Sequence, residues 1–127
     1  MAPRASRSVQ KCLEHLIVLI GLYTLENEEN QQRLNWGSGD TLLSRLSSLP
    51  FKYFCDEKLK EQLFPTLISA TAFNDVNRDV VSNDISIELL AGFLNDKMKG
   101  DTGSKEAIAL SHRIPYNSWV KMKSYYE

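Results

Sequence analysis

Two stretches of this chain have nearly the same pattern of polar and apolar residues. Residues 30–46 and 77–93 both begin at an asparagine, and these two asparagines, Asn30 and Asn77, lie 47 residues apart. The same spacing relates four pairs of apolar positions: Leu34 and Val81, Leu42 and Leu89, Leu43 and Leu90, and Leu46 and Phe93. A short helix, a turn and a longer amphipathic helix that recur about every 40–47 residues are typical of HEAT and armadillo repeats. The pattern therefore predicts a helical-repeat protein, a class that usually holds partners on an extended surface.

Apolar residues at helical spacing predict further helices. We expect helices over residues 9–25, 57–72, 84–99 and 105–112, and a terminal helix that opens at Pro115. Asp40 and Asp56 are the expected N-caps of the helices that follow them. No stretch shows the alternation of a convincing strand. The predicted fold class is therefore all-α, in the form of a short armadillo/HEAT-like α-solenoid.

The length of 127 residues fits one domain with a real core. We expect residues 1–8 to be a disordered lead-in and residues 9–127 to be a single α-helical repeat domain. About three repeats are needed for a stable solenoid, because each repeat buries its apolar face only against its neighbours. This chain contains fewer than three repeats. Either the helix over residues 9–25 is a cap, or the chain is the C-terminal end of a longer solenoid.

Composition excludes several classes of protein. Hydrophobic residues make up 43% of the chain and the formal net charge is -1, so no global charge favours nucleic acid or an anionic membrane. The apolar run over residues 16–25 is shorter than the roughly 20 residues that cross a bilayer, so no membrane insertion is predicted. Cys12 and Cys55 lie far apart and outside any C-x-x-C pattern, which favours two free thiols over a disulfide.

The sequence shows no set of residues for catalysis. His15 and His112 have no cysteine or carboxylate at the spacing of metal ligands. The turn at Gly37 and Gly39 lacks the Gly-Lys-Ser/Thr ending of a phosphate loop. No catalytic residue, cofactor or metal site is predicted, and we expect the chain not to be an enzyme.

One local group of basic residues could contact a partner. Lys52, Lys58 and Lys60 surround Tyr53, and basic side chains interleaved with an aromatic ring can hold an RNA backbone and stack a base. Lys97, Lys99 and Lys105 would extend that surface. Acidic neighbours dilute the charge, so a solvated helix face is favoured and nucleic acid is the less favoured ligand. The candidate contact residues for a protein or RNA partner are Lys52, Tyr53, Lys58 and Lys60.

Two motifs carry a resemblance to a known family. The sequences Leu49-Pro-Phe-Lys-Tyr-Phe-Cys-Asp56 and Leu63-Phe-Pro-Thr-Leu-Ile68 resemble the C-terminal region of the S-phase cyclin A-associated protein in the endoplasmic reticulum family. The flanking sequences agree with that family as well, and the resemblance spans nearly everything after about Val9. No ligand-binding residue of the family can be assigned to a position here.

The resemblance implies a noncatalytic adaptor module that mediates protein–protein interaction. The partners it implies are cyclin A or ribosome-associated factors, and the location it implies is the cytoplasm, including the cytosolic face of the endoplasmic reticulum. The alternative it implies is an RNA- or ribosome-contacting module linked to the control of messenger RNA stability.

Overall fold

The computed structural model describes residues 3–37, 39–98 and 114–126, and all regular structure in these ranges is α-helical. The helices are α1 (Pro3–Thr24), α2 (Glu28–Arg33), α3 (Leu42–Ser47), α4 (Lys52–Cys55), α5 (Glu57–Thr71), α6 (Asp75–Ser82), α7 (Ile87–Met98) and α8 (Tyr116–Tyr126). No strand occurs in the described ranges, so the all-α prediction is confirmed for them. The loop expected at 100–104 and the helix expected at 105–112 lie outside the described residues.

Helix α5 is the centre of the core. Every residue from 61 to 72 is buried, as in a helix that is surrounded by other elements. Its main neighbour is α1, and it also contacts α4, α6, α7 and α3. The hydroxyl of Thr66 donates to the Ile17 carbonyl of α1 at 2.6 Å, so this polar group is satisfied inside the core. Pro65 lies within α5, and the helix continues through it to Thr71.

Two predicted helix starts are corrected by the structure. Helix α1 begins at Pro3 rather than at residue 9, within the segment expected to be a disordered lead-in. Proline is favoured in the first turn of a helix, because the N–H that it lacks has no intrahelical partner there. The N-cap of α3 is Thr41 rather than Asp40, because the side chains of Thr41 and Ser44 each accept from the other's backbone N–H. The predicted cap at Asp56 is correct, since its carboxylate accepts from the Leu59 N–H at 3.1 Å.

The short helices α2 and α6 begin in the same way. Asn27 caps α2 by accepting from the Asn30 N–H at 3.0 Å, and Asn74 caps α6 by accepting from the Asn77 N–H at 3.1 Å. The two caps are 47 residues apart and have the same extended backbone angles, with φ of -135° in each. The side chains of Asn30 and Asn77 then make matching bonds, each donating to a carbonyl seven residues earlier in the chain.

The residues that precede these caps also match. Glu26 has a φ of 50° and Phe73 a φ of 64°, and positive φ is uncommon for residues other than glycine. Before them, the buried hydroxyls of Thr24 and Thr71 each donate to the carbonyl four residues earlier, at 2.9 and 2.7 Å. We call α1–α3 the first unit and α5–α7 the second unit.

Burial follows the same spacing in the two units. Three of the apolar pairs are buried at both positions: Leu34 and Val81, Leu43 and Leu90, and Leu46 and Phe93. The fourth pair, Leu42 and Leu89, is exposed at both positions. The shared pattern in the sequence therefore corresponds to a shared choice of which side chains enter the core.

Helix α8 is tied to the junction between α1 and α2 through Glu26. The Ser118 hydroxyl donates to one oxygen of the Glu26 carboxylate, and the Lys121 ammonium donates to the other at 3.1 Å. These two bonds hold the pKa of Glu26 below its ordinary value of 4.5, the Ser118 bond having the larger effect.

Replacing Glu26 with glutamine is expected to make a pH-dependent difference to stability. A carboxyl group whose pKa is lowered by folding stabilises the folded state at pH values above its unfolded pKa. This contribution is lost as the pH falls through the pKa of the folded state. Near pH 7 the loss should stay below about 1 kcal/mol, because the ion pair is partly solvated. Urea unfolding of the unmodified chain and of the Glu26→Gln variant, near pH 7 and at about pH 3, measures this loss. The difference between the two free energies of unfolding should be smaller at the lower pH than near pH 7, and an equal difference at both pH values would refute this role of Glu26.

Candidate functional site

A groove between α2 and α6 carries exposed apolar side chains. It has a volume of about 440 Å³, and Trp36, Phe73 and Val76 contribute its apolar surface. The exposed fractions of these side chains are 67%, 54% and 64%. Large apolar groups that are grouped in a concave site and left open to solvent are typical of interaction sites.

The polar lining of the groove includes two carboxylates among amide side chains. Glu28 and Asp75 lie in the first turns of α2 and α6, where the helix dipole favours a negative charge. One Asp75 oxygen accepts from the Tyr125 hydroxyl at 2.6 Å, and the pKa of that hydroxyl is raised, chiefly by burial and next by its bond to Asp75. The groove therefore suits a ligand that brings apolar groups together with N–H donors.

Each of the two aromatic walls contacts a neighbouring side chain. The guanidinium of Arg33 lies 5.9 Å from the centre of the Trp36 ring, in a cation–π contact. The Phe73 ring lies 5.2 Å from the ring of Tyr125 in α8. Each exposed ring therefore has one neighbouring side chain that favours its position in the groove.

A network of buried amides lies beneath the groove and joins the two units. The Gln31 amide of α2 donates to the carbonyls of Ser69 and Ala72 at the end of α5, at 2.8 and 3.1 Å. The Asn74 amide donates to the Gln31 side-chain oxygen at 3.3 Å, and the Asn77 amide donates to the Gln31 backbone carbonyl at 2.9 Å. These bonds fix α2 against α6, so they set the width of the groove.

The lysine cluster predicted from the sequence lies elsewhere, on α4 and the start of α5. Lys52 and Lys58 are exposed and Lys60 is half-buried. Tyr53, however, is only 1% exposed, and its hydroxyl is bonded to the Gln10 amide of α1 at 2.6 Å. Burial is also the main cause that raises the pKa of this hydroxyl.

Tyr53 is therefore a core residue, and the role of a base-stacking platform that was considered for it is not compatible with this structure. The aromatic residues of the segment 51–54 differ in burial, which their spacing in the sequence did not predict. Phe54 is half-buried with its ring 6.2 Å from that of Phe64, whereas Phe51 is 80% exposed. The side chains of Lys97, Lys99 and Lys105, which would extend the cluster, lie outside the described residues.

Other chemical groups are placed as follows. Over residues 3–37, 39–98 and 114–126, no three His, Cys, Asp or Glu side chains come close enough to hold a metal ion. In the same ranges, no helix has both the length and the apolar character to cross a membrane. Cys12 and Cys55 are free and exposed thiols, as predicted, and His112 lies outside the described residues.

The groove was not predicted from the sequence, although a signal for it exists. The similarity between the two units extends upstream of Asn30 and Asn77, to the pair Thr24 and Thr71 and the two capping asparagines. That extension marks the turns that start α2 and α6. It does not show that the two helices lie side by side, which depends on the long-range contacts of Gln31.

Comparison with known proteins gives one relative. The human protein named S phase cyclin A-associated protein in the endoplasmic reticulum is 31% identical to this chain over 133 aligned positions, which cover 94% of the chain. This chain is similar to one segment of that protein. The resemblance predicted from the sequence is therefore confirmed. The chain spans only 10% of the length of the human relative. No family model and no solved structure gives a significant match.

Proposed function

We propose that this chain is a noncatalytic adaptor module that holds a protein partner in the groove between α2 and α6. The observation that carries the proposal is the exposure of Trp36, Phe73 and Val76 in one groove, where each aromatic ring contacts a neighbouring side chain. Trp and other aromatic residues contribute a large share of the binding energy at protein interfaces.

The proposed architecture is a short armadillo/HEAT-like solenoid of two units. Its support is the set of features that recur 47 residues apart, from the threonines before each turn to the asparagine caps and the buried apolar positions. In solenoids, equivalent helices of successive repeats form a continuous surface for partners. The groove lies where equivalent helices of the two units, α2 and α6, meet.

The partner that we propose is cyclin A, because the human relative is named as cyclin A-associated and matches nearly the whole chain. We propose that binding takes place at the cytosolic face of the endoplasmic reticulum or in the cytoplasm. The part of cyclin A that binds should present an apolar side chain to Trp36 and Phe73 and N–H groups to the carboxylate of Glu28.

Removing both aromatic rings of the groove should weaken binding strongly. Isothermal titration of the chain with purified cyclin A is expected to show one-to-one binding. The double variant Trp36→Ala/Phe73→Ala should lose at least about a hundredfold in affinity, since each buried aromatic anchor contributes on the order of 2 kcal/mol. Phe51→Ala is the matched control, because Phe51 is even more exposed than Trp36 and Phe73 but does not line the groove. Equal losses in both variants, or no binding by the unmodified chain, would reject the proposed site.

An RNA- or ribosome-contacting role is the second candidate, supported by the exposed ammonium groups of Lys52 and Lys58. Binding to phosphates would weaken steeply with salt, because bound counterions are released. The triple variant Lys52→Glu/Lys58→Glu/Lys60→Glu should leave capture of cyclin A unchanged if the groove is the site. Salt-sensitive binding of single-stranded RNA that this variant abolishes would favour the second candidate instead.

A further inference from the structure

The face of α1 that points away from α5 is apolar and open. We call it the outer face and define it by Leu16, Leu19, Leu22 and Tyr23, which follow helical spacing along one side of α1. All four side chains are exposed, Leu19 to 61%. Monomeric proteins rarely leave a contiguous group of this kind uncovered.

The equivalent face in the second unit is covered. The positions 47 residues later are Leu63, Thr66, Ser69 and Ala70 of α5, and each is fully buried. The main neighbour of α5 is α1, and its Ile17 carbonyl accepts the hydrogen bond from Thr66, the position equivalent to Leu19. A helix that lies on α1 as α1 lies on α5 would therefore cover the outer face.

A polar contact at the edge of this interface indicates the chemistry of that helix. The Gln62 amide of α5 donates to the Glu14 carboxylate of α1 at 3.2 Å. The residue 47 positions before Gln62 is His15, which is exposed at the corresponding edge of the outer face. An occupant equivalent to α1 would place a carboxylate beside His15.

We propose that the outer face of α1 binds an amphipathic helix of a partner protein. That helix resembles the buried side of α1, which carries β-branched and small residues: Ile17, Ile20, Gly21 and Thr24. It also carries a carboxylate that faces His15. A second copy of this chain cannot supply such a surface, because the inner side of its own α1 is covered by its α5. The four residues of the outer face are not among those that line the α2–α6 groove, so binding there does not depend on the proposed function.

The test uses a synthetic helix of known sequence as the probe. It is a fluorescent peptide with the sequence of α1 (Pro3–Thr24) in which Leu16→Gln, Leu19→Lys and Leu22→Gln remove its own outer leucines. Fluorescence anisotropy with the full chain is expected to show saturable binding. A Leu19→Lys substitution in the full chain should weaken it at least about tenfold, while Leu89→Lys, at another exposed leucine, should leave it unchanged. A Glu14→Gln change in the peptide should weaken binding several-fold.

Three results would overturn the proposal. The first is no saturable binding of the peptide. The second is binding that Leu19→Lys does not weaken, which would mean that the peptide has replaced α1 on α5. The third is a dimer in light scattering that Leu19→Lys dissociates, which would make a second copy the occupant. None of these results would change the cyclin A titration, which reports on the groove.

Discussion

Replacing Asn77 with alanine is expected to lower the free energy of unfolding by about 3 kcal/mol. Asn77 is buried, and its amide donates to the carbonyls of Gln31 and Ala70, both at 2.9 Å. The Ala70 carbonyl belongs to the last turn of α5, where carbonyls lack intrahelical partners. Without the amide, this carbonyl would be buried with no donor, and one of the hydrogen bonds that join the two units, from Asn77 to the Gln31 carbonyl, would be lost.

Asn30 provides a matched control for this prediction, because it is the equivalent residue of the first unit. Its amide donates to the Tyr23 carbonyl at 2.8 Å, but at an exposed site where water can take its place. Asn30→Ala should therefore cost less than about 1 kcal/mol. Urea unfolding followed by circular dichroism measures both variants. Similar losses at the two positions would contradict the view that Asn77 acts by joining the units.

Replacing Leu63 with alanine is expected to cost about 2–5 kcal/mol, the range for a leucine removed from a packed core. Leu63 is fully buried in α5, on the helix that packs against α1. The loss combines the transfer free energy of the removed carbons with the cavity that they leave. A variant this unstable should also unfold at a clearly lower temperature.

Leu16 is the equivalent of Leu63 in the first unit and serves as the control. It lies on the outer face of α1, where 46% of its surface is exposed. Leu16→Ala should change the free energy of unfolding by no more than about 0.5 kcal/mol. Thermal unfolding of both variants at low protein concentration tests the difference. A cost for Leu16→Ala as large as that for Leu63→Ala would mean that the outer face is already covered, and would contradict the open surface described above.

Features of the fold that depend on local sequence could be predicted. The periodicity of apolar residues placed α5, α7 and α8 to within a few residues, and the 47-residue spacing paired Leu34 with Val81 and Leu43 with Leu90, which are all buried. The cap at Asp56 was also correct. These features succeed because helix formation and capping depend on residues within a few positions of one another.

The features that could not be predicted depend on contacts between distant segments. The lysines near Tyr53 in the sequence suggest a surface position for its ring. In the structure the ring is buried, and its hydroxyl accepts a hydrogen bond from the Gln10 amide of α1. From the sequence, Gln31 is expected to be a solvent-exposed polar residue of a short helix. In the structure its amide is buried against the end of α5. The groove arises from this second contact. Neighbours along the chain therefore could not indicate that Trp36 and Phe73 share one site.

The most direct test of the account is hydrogen–deuterium exchange of the chain, alone and saturated with cyclin A. It locates the bound surface without any substitution. We expect slower exchange in α2 (Glu28–Arg33) and α6 (Asp75–Ser82), which form the groove, and no change in α4 (Lys52–Cys55). Unchanged exchange in α2 and α6 at saturation, or protection confined to α4 and the start of α5, would contradict the proposal that the groove holds the partner.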